Sequence, residues 1–129
     1  MAPHNDTGTL GEATAAEYLQ QKGYEVLQRN WRPPKGRTEL DIVAVKDGVL
    51  AFVEVKTRSS VAWGEPMEAV NYAKIRHLTA AAQRYMRLFN VSDMQVRFDI
   101  ISVIVSSSSN AVISVHHVEN AFMPPPIYY

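Results

Sequence analysis

The sequence contains no cysteine. Disulfides, thiolate metal centres and a cysteine nucleophile are therefore excluded, and the chain suits a reducing compartment. It has no apolar run near the ~20 residues that cross a bilayer as a helix. Its start, MAPHNDTGTLGE, lacks the charged-then-apolar pattern of a secretory signal. A soluble cytoplasmic protein without membrane association is expected. Net charge is missing too: 13 Lys and Arg balance 13 Asp and Glu, which argues against a uniformly basic nucleic-acid binder. Glycine is scarce, at six residues, and no Gly-rich phosphate loop or Ser-centred elbow occurs, so nucleotide-binding and triad-hydrolase readings are poor. The histidines at 4, 77, 116 and 117 show no zinc spacing, and His116 and His117 on one strand would face opposite ways.

What is present is concentrated in Thr38 to Thr57, TELDIVAVKDGVLAFVEVKT. Two arms rich in Val, Ile, Leu and Phe flank Asp47-Gly48, a strong hairpin signal because a type I′ turn needs positive φ at both central residues. With Lys46 facing Val49, Asp41 falls across from Glu54 and Glu39 across from Lys56, all on one face. Leu40, Ile42 and Ala44, with Val49, Ala51, Val53 and Val55, make the other face apolar, as in strands buried on both sides. An opposed Asp41 and Glu54 at roughly 5 Å repel by about 3 kcal/mol at an effective dielectric near 20. Lys56, a proton or a divalent cation between the carboxylates would offset that. An ion-pair ladder of Glu39, Lys56 and their neighbours is the competing, purely structural reading.

Overall neutrality conceals a local excess. From Lys22 to Arg58 there are eight Lys or Arg against five Asp or Glu. The stretch Asn30 to Arg37, NWRPPKGR, reads as a loop, since two prolines and a glycine continue neither regular structure. Arg29 just before it and Arg32, Lys35 and Arg37 within it surround Trp31, a combination suited to phosphate contacts with base stacking and equally to an ordinary solvated loop.

The remaining chain is read by periodicity. Residues 1–8 are expected to be disordered, and Thr9 to Lys22 to form a helix stopped by Gly23, with Glu12 in its first turn where the macrodipole favours a carboxylate. Tyr24 to Trp31 alternates as a strand, and 58–66 is a second loop. Asn71 is an N-cap for a helix over Tyr72 to Phe89, whose stripe of Ile75, Leu78, Ala82, Tyr85 and Phe89 is core. Strands follow at 95–105 and 111–118. At 129 residues and 47% hydrophobic content, one domain over 9–122 is expected, with a Pro-rich tail at 123–129. The order is α-β-β-β-α-β-β, an α/β arrangement whose strand-helix-strand crossover joins parallel neighbours in a mixed sheet flanked by helices.

Asp41 followed by Glu54-Val55-Lys56 resembles the signature of the PD-(D/E)XK nuclease superfamily. More extensively, GEATAAEYLQQKGYEVLQRNWR, ELDIVA, FVEVKTRSS, KIRHLTAAAQRYM and RFDIISV resemble the YraN-like family of predicted bacterial endonucleases, distant relatives of archaeal Holliday-junction resolvases. The likeness covers roughly Gly8 to Phe122. It departs from the family's usual Gly-Glu-Ile-Asp, which here is Thr38-Glu39-Leu40-Asp41.

The resemblance implies a restriction-endonuclease-like fold and a Mg²⁺-dependent endonuclease, with Mn²⁺ as a substitute. Asp41, Glu54 and Glu12 would be metal ligands, Lys56 the catalytic lysine beside Asp41 and Glu54, and Glu39 a supporting acid. The substrate would be DNA, of branched or single-strand-containing form, held by Arg29, Arg32, Lys35, Arg37, Arg58 and Lys74, and a homodimer is compatible with it. Two readings stand beside it: a nucleic-acid-binding module without turnover, and a protein-interaction domain whose charges merely pair.

Overall fold

The computed structural model describes residues 3–59 and 71–123. Most of the expected 58–66 loop, and the tail from 124 onward, lie outside these residues. Helix α1 spans Pro3–Gln21, β1 Glu25–Trp31, β2 Leu40–Lys46, β3 Val49–Ser59, α2 Tyr72–Leu88, β4 Gln95–Val105 and β5 Val112–Val118. The five strands form one sheet in the order β1-β2-β3-β4-β5. Only β3 and β4 run parallel; the other neighbours are antiparallel. This mixed sheet with a helix on each face is a restriction-endonuclease-like arrangement.

Local chemistry places the central hairpin. Asp47 and Gly48 both take positive φ, at 52° and 79°, and Lys46 pairs with Val49 and Ile42 with Val53, the register expected from the turn. One face packs Ile42, Ala44, Ala51 and Val53 under Ala15, Ala16 and Leu19 of α1. The opposite face packs Val43, Leu50 and Phe52 under Leu78, Ala81, Ala82 and Tyr85 of α2. Small alanines on both helices let them lie close to the sheet, so the apolar area is buried on two sides.

Three details differ from the sequence reading. Helix α1 begins at Pro3, within the segment expected to be disordered, so Glu12 sits well inside the helix and not in a first turn where a macrodipole would act. Leu40 belongs to the α2 face with Val43, not to the α1 face with Ile42. The paired neighbour strand explains it: Asn30 lies within β1 at φ 53°, between Arg29, paired with Ile42, and Trp31, paired with Leu40. A left-handed residue breaks the two-residue alternation, and asparagine tolerates it better than most. Third, Trp31 is turned inward, edge-on to Tyr85 and Phe89 at 5.2 and 6.2 Å between ring centroids. It packs, partly buried, against the core beneath α2.

Candidate functional site

Asp41 stands where β2 and β3 part. Their pairing runs out at Ile42 and Val53, and the next free amide, Val55 N–H, donates to Asp41 Oδ2 at 2.9 Å. The carboxylate thus replaces a ladder carbonyl and is held rigidly at the mouth of the opening between the strands. It shares a recess with Glu54 and the apolar side chains of Leu40, Phe52, Leu78, Phe98 and Phe122. Burial against those groups, then the charge of Glu54, pushes the Asp41 carboxyl up to about 7, with the Val55 amide opposing and Glu12 adding to the rise.

Glu12, Glu39 and Asp41 offer oxygens that all lie within 4.8 Å of one another. Glu12 reaches this point because α1 lies against β3 at Gly11, where an added Cβ would stand 1.8 Å from Thr57 Oγ1 and 2.8 Å from Thr57 Cβ. Glycine is required there by the approach of the helix. Gly11→Ala is therefore expected to destabilise by about 2 kcal/mol, overpacking outweighing a helix-propensity gain of roughly 1 kcal/mol. Denaturant midpoints measure this, and Thr57→Ala should restore part of the loss. An unchanged midpoint would mean that α1 does not lie this close.

Asn30 falls where the expected strand and loop overlap, and its role in the cluster has no signal in the sequence beyond asparagine's tolerance of positive φ. Its Nδ2 donates to Glu12 Oε1 at 3.0 Å and to Glu39 Oε1 at 3.1 Å, bridging two carboxylates that would otherwise repel. Arg32 Nε lies 3.4 Å from Glu39 Oε2, with its side chain 62% exposed, so its compensation is modest. Glu54 is buried and lies 3.7 Å from both Lys56 Nζ and Lys74 Nζ. The register had set Glu39 opposite Lys56; instead Glu39 turns to Asn30 and Arg32, and Lys56 turns to Glu54. Among the described residues Glu39 and Lys56 do not pair with each other, and the ion pairs of this region are Arg32 with Glu39 and Lys56 and Lys74 with Glu54.

The oxygen-only donor set fits a hard divalent cation. A separation up to 4.8 Å matches the roughly 4–5 Å between oxygens on opposite sides of Mg²⁺ or Ca²⁺. Glu39, a supporting acid by resemblance, belongs to this set, whereas Glu54 shares the recess of Asp41 and is met by Lys56 and Lys74. Among the cations read from the sequence, Arg32 and Lys74 reach the cluster. Arg29, Lys35 and Arg37 are exposed, Arg37 facing α2 across a recess it shares with His77 and Arg84. Arg58 lies on β3, partly buried and engaged.

A second polar cluster escaped the sequence reading. Asp99, wholly buried on β4, accepts from Arg97 Nε and Nη2 at 2.8 and 2.9 Å and from Asn120 N–H at 2.9 Å, and faces His117 Nε2 at 2.8 Å. The only hint was an Asp two residues after an Arg in an otherwise apolar strand. His117 points inward while His116 is exposed, as strand parity demands.

A family model described as "Uncharacterised protein family UPF0102" matches residues 11–103. A UPF0102 protein of Bacteroides thetaiotaomicron is 48% identical over 125 residues, covering 97% of this chain and 98% of its own. One from Chlorobium phaeobacteroides is 42% identical over 124 residues, covering 94% and 96%. Among solved structures, an XisH family protein from Nostoc punctiforme aligns with a TM-score of 0.37 at 12% identity, covering 82% of this chain and 98% of that one. An fdxN element excision controlling factor from Anabaena variabilis gives 0.39 at 12% identity, covering 83% and 98%. With a match across most of its length and relatives this similar end to end, the chain belongs to the UPF0102 family, the YraN-like proteins.

Proposed function

We propose that this protein is a metal-dependent hydrolase of phosphodiester bonds in nucleic acid, DNA in the first instance. The observation that carries the reading is the meeting of Glu12, from α1, with Glu39, just before β2, and Asp41, at its start, on one point beside Glu54 and Lys56. Glu12, Glu39 and Asp41 would hold Mg²⁺ or Mn²⁺, with Glu54 available across Asp41. When bound, the ion supplies Lewis acidity toward a phosphate oxygen and a water of lowered pKa. Lys56 orients the attacking water or meets the negative charge that develops on the phosphate. Asn30 keeps Glu12 and Glu39 converged, and Arg32 and Lys74 hold the flanking backbone. These contacts are to phosphate and carry no base sequence, so strand geometry is what they select. Branched or single-strand-containing DNA fits that preference, and a homodimer would present two such sites to a two-fold junction.

Titrating Mg²⁺ or Mn²⁺ calorimetrically into wild type and Asp41→Ala tests the metal centre. Binding by the wild type that is abolished in the variant is expected; no heat in either would remove the proposal. Cleavage of four-way-junction or single-strand-containing DNA should require Lys56, with Lys56→Ala retaining DNA binding. The binding-module reading is favoured by one feature, the two lysines that already meet the charge of Glu54. It becomes the better account if DNA is bound and no metal-dependent cut depends on Lys56.

A further inference from the structure

Segment 29–38 and helix α2 together carry eight of the chain's 13 Lys and Arg and none of its 13 Asp and Glu. They lie against each other. Arg84 Nη2 donates to Pro34 O at 2.6 Å, and on either side of that bond lies a recess. One, of about 140 Å³, is lined by Gly36, Arg37, Thr38, His77 and Arg84 among others. The second, of about 270 Å³, is lined by Pro34, Arg84, Arg87 and Leu88. Each far exceeds the ~30 Å³ share of a water molecule, and among the described residues no carboxylate lines either. Arg84 joins both, and a guanidinium with five donors retains several after bonding Pro34.

The loop wall is preformed. Gly36 N–H donates to Pro33 O at 2.9 Å, closing a turn with Pro34 at its second position. Lys35 occupies the third with φ 60°, a conformation that glycine or asparagine would take more readily. The turn thus carries a cation where its backbone would favour a smaller residue. Gly36 itself is obligatory, since a Cβ there would stand 2.4 Å from Pro33 Cγ. On the helix side, Lys74 stands beside Glu54 at the start of α2, and His77, Arg84 and Arg87 follow toward its end. Lys74 to Arg87 spans about 20 Å at 1.5 Å per residue. The line begins at the carboxylate cluster and leads away from it.

We infer that this groove between the 33–38 turn and α2 is a backbone-tracking subsite. It grips the sugar-phosphate chain of a nucleic acid strand beyond the phosphate at the carboxylate cluster, through Arg37, Arg84, Arg87 and Lys35. The inference rests on the nucleic-acid reading above and extends it: the segregation of charge lets a neutral protein hold a polyanion while keeping four acids at the reacting end. Binding through this groove needs no metal, because none of the described residues lining it is a carboxylate to be neutralised.

The test is binding of a labelled single-stranded DNA oligonucleotide in chelator across a salt series, for wild type, Arg37→Ala/Arg87→Ala, Arg37→Lys/Arg87→Lys, and Lys22→Ala on the α1 side. Arg37 and Arg87 are exposed and form no ion pair among the described residues, so their loss should leave the thermal midpoint unchanged. The alanine pair is expected to reduce the slope of log affinity against log salt by about 1.4, at roughly 0.7 per phosphate on a single strand. The lysine pair and Lys22→Ala should keep the wild-type slope. Mg²⁺ titration of the alanine pair should match wild type, separating this subsite from the metal centre. DNA binding with an unaltered slope in the alanine pair would overturn the groove and leave the metal-dependent reading standing. No binding of DNA by wild type, with or without Mg²⁺, would remove both.

Discussion

Asp99→Ala is expected to cost about 3–5 kcal/mol of stability, the range for breaking a buried ion pair from one side. Asp99 is wholly buried and accepts two hydrogen bonds from Arg97 and one from the Asn120 amide, with His117 Nε2 at 2.8 Å. Removing it strands the Arg97 guanidinium beneath Tyr24, whose hydroxyl accepts from the same Nη2. Glu119 offers little in exchange, lying 3.7 Å from Arg97 with its side chain 60% exposed. Replacing both partners by apolar residues, Arg97→Met with Asp99→Leu, should recover the part of the loss that comes from stranding the guanidinium, while His117 and the Asn120 amide still lack their acceptor. Urea melts of the single and double variants measure this, and a cost below about 1 kcal/mol for Asp99→Ala would show that the cluster does not hold β5 to β4.

The same carboxylate has a signature in acid. Burial works against its ionised form, yet hydrogen bonds from His117, Arg97 and Asn120 hold its pKa below the ordinary value of 3.8. A depressed carboxyl stabilises the fold above the unfolded pKa, and that stability is lost as pH falls through the folded one. Wild type should therefore weaken below pH 3.8, and Asp99→Asn should lack that part of the acid limb.

Asp41 should behave in the opposite sense. Its carboxyl is raised to about 7 by burial and by Glu54, so the folded state takes up a proton more readily than the unfolded chain. The stabilisation is complete below the unfolded value of 3.8 and disappears as pH climbs to about 7. In chelator at pH 8, Asp41→Asn should be more stable than wild type by about 1–2 kcal/mol after solvent screening, and the advantage should vanish near pH 4. The asparagine carbonyl can still accept from Val55 N–H, so the variant isolates charge from shape. Mg²⁺ should reverse the order at pH 8 by stabilising wild type alone. Its affinity for wild type should rise with pH and level off above about 7, since the cation must displace the proton. A loss of more than about 2 kcal/mol in chelator at pH 8 would instead mark Asp41 as half of a structural ion pair.

The hairpin register, the Asn71 cap of α2 and the parallel β3–β4 pairing were legible in the sequence because each depends on short-range chemistry. Asp47-Gly48 sets the turn, Asn71 Oδ1 accepts from Lys74 N–H at 2.8 Å, and a strand-helix-strand crossover returns parallel. Those rules place Asp41, Glu54 and Lys56 near one another without knowledge of the helices.

The remaining features arise where elements meet. The break in alternation at Leu40 follows from Asn30, a residue on the neighbouring strand. The place of Glu12 follows from how closely α1 can approach Thr57 over Gly11. Trp31, set by the sequence among the cations of the 30–37 loop, packs edge-on against Tyr85 and Phe89. The Asp99 cluster draws on residues from Tyr24 to Asn120, and the basic groove exists because Arg84 bonds the carbonyl of Pro34, 50 residues away. Sequence spacing encodes the direction of a side chain within its own helix or strand. Which side chain it meets is set by the distance and rotation between packed elements, and those are determined by the close packing of the whole interior.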